Sequence, residues 1–97
     1  MEEKELRRLL LKYGALDNEY RLKAFLTIGE NEGISFNDLA RKLGIERGLC
    51  AYHLGILKAA NLVALDLERR GRSSSHYRLT DEGRKFLEYL MQEIRKG

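Results

Sequence analysis

The chain has 97 residues, enough for one compact domain but not for a second domain with a core of its own. Its apolar fraction of 43% and charged fraction of 34% exclude a disordered chain. No apolar run approaches the roughly 18 residues of a membrane-spanning helix, and the charged, acidic N-terminus is not a signal peptide. A single cysteine excludes an internal disulfide framework. We therefore expect one domain over residues 1–97, located in the cytoplasm and without a membrane partner.

The net charge of +3 is unevenly distributed along the chain. Residues 1–32 sum to −1 and residues 80–97 to zero, whereas residues 33–79 sum to +4. A local excess of this kind is the electrostatic footprint of a phosphate-binding face. The alternative is an ordinary solvated surface.

Two helices are predicted in the first third of the chain. The first, over residues 3–13, ends at Gly14 and has an apolar face formed by Leu6, Leu9, Leu10 and Tyr13. Asp17 is the expected N-cap of the second, Asn18–Glu30, whose apolar positions are Leu22, Phe25, Leu26 and Ile28.

The next segment has the pattern of two helices joined by a tight turn. Ser35 is the expected N-cap of a helix over Phe36–Leu43, and Gly44 can adopt the left-handed backbone that such a turn needs. Glu46 is the expected N-cap of a helix from about Arg47 to Ala60. The stripe predicted to face the core of this second helix is Cys50, His53, Leu54 and Leu57.

Two strands and a last helix complete the chain. A strand over Leu62–Glu68 is expected to bury Val63, Leu65 and Leu67, and His76–Leu79 returns beside it, with a short strand stub possible at Ile34. Thr80 is the expected cap of a helix to about Arg95, which carries Phe86, Leu87, Leu90, Met91 and Ile94. The predicted fold class is mainly α (α+β): a winged helix-turn-helix of about five helices and a two-stranded β-hairpin wing.

The stripe opposite the core on the second helix of the turn motif is the candidate DNA-binding face. Two glycines in a helix interior cost about 1 kcal/mol each relative to alanine, but a small surface permits close approach to a groove. The candidate residues are Arg47, Gly48, Ala51, Tyr52 and Lys58, with Gly55 on the same stripe. The alternatives are that Arg47 is merely solvated, that Tyr52 packs on the wing, and that the glycines relieve crowding between helices.

Arginines at the tip of the predicted hairpin form a second candidate contact with DNA. A flexible arginine there can enter a minor groove or bind the flanking phosphates. These residues are Arg69, Arg70 and Arg72. The alternative is a charged edge that prevents the hairpin from pairing with other chains.

Catalytic and metal-binding patterns are not found in the sequence. Cys50 is expected to be a small core residue, and no cysteine or histidine pair has metal-ligand spacing. No phosphate-binding glycine loop or nucleophile triad is recognisable. We therefore expect no enzyme activity, no cofactor and no metal.

Motifs from Leu16 to Leu90 resemble the ArsR-like winged-helix transcriptional regulators, particularly small archaeal members. MarR-like and other winged helices share most of these motifs. The segments that carry the resemblance are Leu16–Leu22, Leu39–Ile45, His53–Leu57, Asn61–Val63 and Tyr77–Gly83. The resemblance implies a homodimer that binds palindromic double-stranded DNA and represses transcription, with the first and last helices at the dimer interface. The alternative is that the apolar faces of these helices pack on each other within one chain.

Two departures from the family pattern limit what the resemblance implies. The Cys-x-Cys motif of metal-sensing members is absent where this chain reads Asn37–Ala40, so inducible metal release is not expected. The recognition helix opens with Glu46–Leu49 instead of the usual phosphate-binding serines or threonines. A protein-contact module of the transcription machinery and a non-specific chromatin binder therefore stay open as alternative functions, and no effector ligand is indicated.

Overall fold

The computed structural model describes residues 2–66 and 75–97. Within these residues the chain forms five helices and three short strands. The elements in chain order are α1 (Glu2–Leu16), α2 (Glu19–Glu30), β1 (Ile34–Ser35), α3 (Phe36–Leu43), α4 (Arg47–Ala59), β2 (Val63–Leu65), β3 (His76–Leu79) and α5 (Asp81–Lys96). The predicted winged helix-turn-helix is confirmed.

Three of the predicted N-caps are confirmed. Ser35 Oγ accepts from the Asp38 N–H at 3.1 Å, Glu46 Oε1 from the Leu49 N–H at 3.0 Å, and Thr80 Oγ1 from the Gly83 N–H at 2.8 Å. Each bond satisfies an N–H that has no acceptor inside its own helix. Gly44 ends α3 at φ +69°, the left-handed conformation expected for the turn.

The junction between α1 and α2 differs from the prediction. Gly14 does not end the first helix, which continues to Leu16 because Ala15 is buried in the core. Asp17 is not the N-cap of α2, since its N–H donates to the Gly14 carbonyl within the turn. The cap is Asn18, whose Oδ1 accepts from the Tyr20 N–H at 2.9 Å and the Arg21 N–H at 3.1 Å.

The wing sheet has three antiparallel strands in the order β1-β3-β2, not the two that were predicted. The third strand is β1 at Ile34, where a short stub was expected; Ile34 pairs with Tyr77, while Val63 on the other side pairs with Leu79. The prediction for β2 was wrong at Leu65, which is 40% exposed although Val63 is buried. β2 lies at the edge of the sheet, and burial decreases along it from Val63 through Ala64 to Leu65. The predicted continuation to Glu68 lies outside the described residues.

The core joins the helices to the sheet. Its largest fully buried side chains come from α2, α3, α4, β3 and the link before β2: Phe25, Ile28, Leu39, Leu54, Leu57, Leu62 and Leu79. Their burial provides the main driving force for folding. Among the residues that the structure describes, no helix is both long and apolar enough to cross a bilayer.

The start of α5 sits directly on the end of the α4–β2 connection. Asn61 adopts φ +60°, and its carbonyl accepts from Thr80 Oγ1 at 2.6 Å. The Leu62 carbonyl accepts from the Thr80 N–H at 3.1 Å and lies against Gly83. A Cβ built on Gly83 would lie 2.2 Å from the Leu62 oxygen, so only glycine allows this approach.

An ion pair between a buried lysine and a half-buried glutamate ties α1 to the same corner. Lys12 is only 6% exposed and pairs with Glu82, whose Oε1 also accepts from Asn61 Nδ2 at 2.6 Å. The hydrogen bond from Lys12, and then that from Asn61, hold the pKa of Glu82 below its usual value against the opposing effect of desolvation. Glu82 therefore connects α1, the α4–β2 connection and the start of α5.

We expect Gly83→Ala to destabilise the fold by about 1–3 kcal/mol, because backbone atoms of Leu62 must move to admit the methyl group. Urea unfolding of the two proteins measures the difference. Gly55→Ala is the matched control, since a Cβ there meets nothing within 4 Å; it should be neutral or add up to about 1 kcal/mol. Equal effects of the two substitutions would contradict this reading of the α5 corner.

Candidate nucleic-acid interface

One stripe of α4 is fixed in the core, as the sequence predicted. Cys50, Leu54 and Leu57 are at most 2% exposed, and His53 is 5% exposed. Desolvation in this environment raises the pKa of the Cys50 thiol, so Cys50 stays protonated and acts as a small apolar residue. The burial of this stripe determines which side of α4 faces outward.

His53 is held by a cation from α2. An Arg21 terminal nitrogen lies 3.1 Å from His53 Nδ1, while Arg21 Nε donates to the Ala15 carbonyl at 2.6 Å. A guanidinium only donates, so Nδ1 is the acceptor and the imidazole is neutral with its proton on Nε2. Desolvation, reinforced by the Arg21 charge, lowers the pKa of His53. The Tyr20 and Tyr52 rings lie 5.8 Å and 5.2 Å from the imidazole ring.

The opposite stripe of α4 is exposed over its whole length. It comprises the five candidate residues together with Gly55: Arg47, Gly48, Ala51, Tyr52, Gly55 and Lys58. The predicted separation of a buried face from a small, basic outer face is therefore confirmed, whereas contact with DNA stays a prediction.

Neither glycine on this stripe is explained by crowding against another helix. A Cβ on Gly55 meets nothing within 4 Å, whereas one on Gly48 would lie 2.9 Å from Glu46 Oε1, the atom that caps α4. The described residues thus contain no neighbouring helix whose approach requires either glycine. The alternative that they relieve helix crowding is not supported.

Arg47 is not a freely solvated side chain. Its guanidinium lies over the Phe36 ring, 5.0 Å from the centroid, and donates to Asn37 Oδ1. Both partners belong to the first turn of α3. Arg47 is nevertheless exposed, so part of its guanidinium faces outward beside the N-terminus of α4.

The acidic residues near Arg47 have partners of their own. Glu46 is exposed, and its Oε1 accepts from the Leu49 N–H at the start of α4. Asp38 pairs with Arg41 at 2.5 Å, and this bond lowers the pKa of the Asp38 carboxyl. Both carboxylates therefore have hydrogen-bond donors other than Arg47.

Tyr52 projects from the middle of the stripe. It is 60% exposed, and its ring contacts that of His53 edge to face. The wing arginines Arg69, Arg70 and Arg72 lie outside the described residues, so neither their predicted contact with DNA nor packing of Tyr52 on the wing tip is tested.

Several residues that shape this surface were not identified from the sequence. Arg21 and Glu82 entered the sequence analysis only within motifs of the family resemblance, and Lys12 was given no role, yet these residues fix the helices that carry the interface. Their signal in the sequence is weak, because the contacts Arg21–His53 and Lys12–Glu82 join segments that lie far apart in the chain. Asn37 was missed because its contact with Arg47 joins two different helices.

A protein-family model matches most of the chain. The family model described as "Winged helix DNA-binding domain" matches residues 20–96. A comparison with curated protein sequences finds no match.

Similar solved structures span almost the whole chain. The homodimeric winged helix-turn-helix DNA-binding domain Mb0332 from Mycobacterium bovis, a possible ArsR-family transcriptional regulator, has a TM-score of 0.78 at 22% identity, covering 97% of this chain and 83% of its own. NolR from Sinorhizobium fredii has a TM-score of 0.76 at 26% identity, with 94% and 88% covered. HlyU from Vibrio cholerae has a TM-score of 0.76 at 24% identity, with 93% and 92% covered. The predicted ArsR-like fold is confirmed.

We expect the folding stability to fall as the pH decreases below the ordinary histidine pKa of 6.5. The folded-state pKa of His53 is lowered, so the unfolded chain binds this proton more readily. The contribution of neutral His53 to the folding stability is complete above pH 6.5 and is lost as the pH falls through the folded-state pKa. Urea unfolding at pH values from about 7.5 to about 5.5 measures this trend.

His53→Gln is the control for this prediction, because glutamine keeps an acceptor for Arg21 but does not titrate. Its unfolding free energy should be nearly flat over the same pH range. A slope equal to that of the wild type would show that another group is responsible.

Proposed function

We propose, on the premise that this chain belongs to the family of winged helix DNA-binding domains, that it is a homodimeric, sequence-specific transcriptional regulator. In this proposal it binds a palindromic operator in duplex DNA and acts as a repressor. No catalytic step is part of the proposal. Its DNA-binding unit is the turn motif α3–α4 together with the wing.

The observation that carries this proposal is the exposed stripe of α4. Small residues, Gly48, Ala51 and Gly55, lie along it beside Tyr52, so the helix backbone can approach the floor of a major groove closely at these positions. Cationic side chains lie toward its two ends, at Arg47 and Lys58. Placed in a groove, α4 would set Arg47 against a base edge or phosphate and Lys58 against the backbone, with Tyr52 between them.

The wing supplies the second proposed contact. β2 and β3 lead into the segment that contains Arg69, Arg70 and Arg72. We propose that these arginines reach the minor groove or its phosphates beside the site that α4 occupies. Their contribution would be largely electrostatic and therefore dependent on salt.

The homodimer is supported by the apolar surface of the terminal helices. In α1 only Lys12 and Ala15 are buried, and in α5 only Gly83 and Phe86 are. The alternative that the two apolar faces cover each other within one chain does not account for the side chains that remain exposed. These are Leu6, Leu9, Leu10, Tyr13, Tyr89, Met91 and Ile94, which are 40–71% exposed. An apolar surface of this extent is typical of an interface.

α2 extends the same surface. Leu22 and Leu26, which the sequence placed among the buried positions, are 42% and 38% exposed and lie one helical turn apart. Leu22 borders a groove that Tyr13 and Leu90 also line, so the surface runs from α1 across α2 to α5. We propose that a second copy of the chain covers it, as in the neighbour Mb0332, which is described as homodimeric.

A second candidate function is protein binding through α4. Tyr52 is 60% exposed and Leu49 is 38% exposed, and both belong to the helix that would enter DNA. Exposed aromatic and aliphatic residues beside small ones also suit a protein interface. The net charge of +4 over residues 33–79 favours DNA, since charged residues are depleted in the centre of protein interfaces.

We expect selection from a random duplex pool, at about 150 mM salt, to enrich an inverted repeat. In a dimer the two α4 helices would lie about 34 Å apart and read successive major grooves. Arg47→Ala should reduce discrimination at one base pair per half-site by about 1–3 kcal/mol. Gly55→Ala should fold normally yet bind less tightly, because its methyl group limits the approach to the groove.

The result of this selection separates the candidate functions. Binding without enrichment, with an even loss of affinity for Arg47→Ala, would indicate a non-specific DNA binder. Absence of DNA binding would favour the protein-contact function.

We expect Leu10→Glu to convert a dimer into a monomer in analytical ultracentrifugation, because it places a charge in the centre of the proposed interface. Leu11→Glu is the matched control: Leu11 is also exposed, at 53%, but borders the groove next to Ala59, Ala60 and Asn61 on the other flank of α1. It should leave the dimer intact. A wild-type monomer, or equal effects of both substitutions, would rule out this interface.

A further inference from the structure

The Arg47 guanidinium is held from two sides by the first turn of α3. Phe36 lies beneath it at 5.0 Å, and Asn37 accepts a hydrogen bond from one of its terminal nitrogens. These two contacts come from adjacent residues but act in different ways. The ring fixes the plane of the guanidinium through a cation–π interaction, and the amide oxygen fixes its rotation within that plane.

The turn between the helices makes this arrangement possible. Ser35 caps α3 directly before Phe36, and Glu46 caps α4 directly before Arg47. Gly44 in its left-handed conformation folds α4 back so that the two helix starts are adjacent. Phe36 is half-buried and packs against the core, which makes it a rigid support for a side chain on the outer face.

The remaining donors of Arg47 are available to a ligand. A guanidinium has five N–H donors, and the contact to Asn37 involves one terminal nitrogen. The neighbouring carboxylates do not compete, since Asp38 pairs with Arg41 and Glu46 accepts from Leu49. An arginine fixed in this way offers a planar pair of donors that matches the O6 and N7 acceptors of guanine.

We propose that Phe36 and Asn37 are positioning residues that orient Arg47 for reading a guanine edge in the major groove. This inference rests on the proposed function of α4 as the recognition helix. Without these residues Arg47 would have to order its long side chain during binding, and it would reach phosphates and wrong bases nearly as well as guanine. Their effect therefore falls on base preference more than on total affinity.

The test is a double-mutant cycle on the base preference at the position that Arg47 reads. The selected operator and a copy with that G·C pair changed are titrated with wild type, Asn37→Ala, Arg47→Ala and the double variant. Asn37→Ala should lower the ratio of the two affinities about two- to tenfold. In the Arg47→Ala background it should lower the ratio no further, because Asn37 acts only through Arg47.

Two more variants separate positioning from general effects. Lys42→Ala removes an exposed cation from the same helix and leaves the Asp38–Arg41 pair intact, so it should weaken binding to both duplexes equally. Phe36→Leu keeps an apolar side chain in the core but removes the ring face, and should reduce the preference as Asn37→Ala does. A loss of α3 stability alone would not change the ratio.

The outcomes distinguish this inference from the proposed function. If Asn37→Ala leaves the ratio unchanged, raises it, or lowers it equally in the Arg47→Ala background, the positioning role is refuted while DNA recognition by α4 stands. If Arg47→Ala itself leaves every base preference intact, Arg47 only stabilises the packing of α4 on α3 and the inference is again refuted. If the wild type binds no duplex, the proposed function fails and this inference fails with it.

Discussion

The orientation of the exposed stripe of α4 depends on the burial of the opposite stripe in the core. Cys50, Leu54 and Leu57 are packed into the core beneath α2, and His53 is hydrogen-bonded there to Arg21. A helix anchored along one stripe cannot rotate about its axis without exposing apolar groups and breaking that bond. The outer stripe therefore keeps one orientation, and a rigid helix holds a set of ligand contacts more accurately than a loop does.

Arg21 links this anchor to the helix that is proposed to form the dimer. One of its nitrogens binds the last turn of α1 through the Ala15 carbonyl, and another binds His53 of α4. A single guanidinium thus fixes α4 relative to α1. In a symmetric dimer built on α1, α2 and α5, the distance between the two α4 helices depends on this connection, and that distance determines the half-site spacing of an operator.

Local signals in the sequence were sufficient for the helices, the tight turn and the two faces of α4. Capping residues such as Ser35 and Thr80, the glycine at Gly44 and the helical spacing of apolar residues all act over a few positions. Contacts between distant segments were not predictable in this way. The continuation of α1 past Gly14, the third strand at Ile34, the Lys12–Glu82 pair and the Asn37–Arg47 contact each depend on a partner that only the folded chain brings near.

The helix-interior glycines show the same difference between local signals and contacts of the folded chain. The sequence indicated Gly48 and Gly55, with Ala51 between them, because glycine is unfavourable inside a helix unless a contact requires it. Gly83, also inside a helix, is required by a contact within the chain, because a Cβ there would overlap the Leu62 carbonyl. Gly55 has no such neighbour among the described residues. A helix-interior glycine that none of the described residues requires agrees with the proposed approach of another molecule, and the basic residues around it favour a polyanion as that molecule.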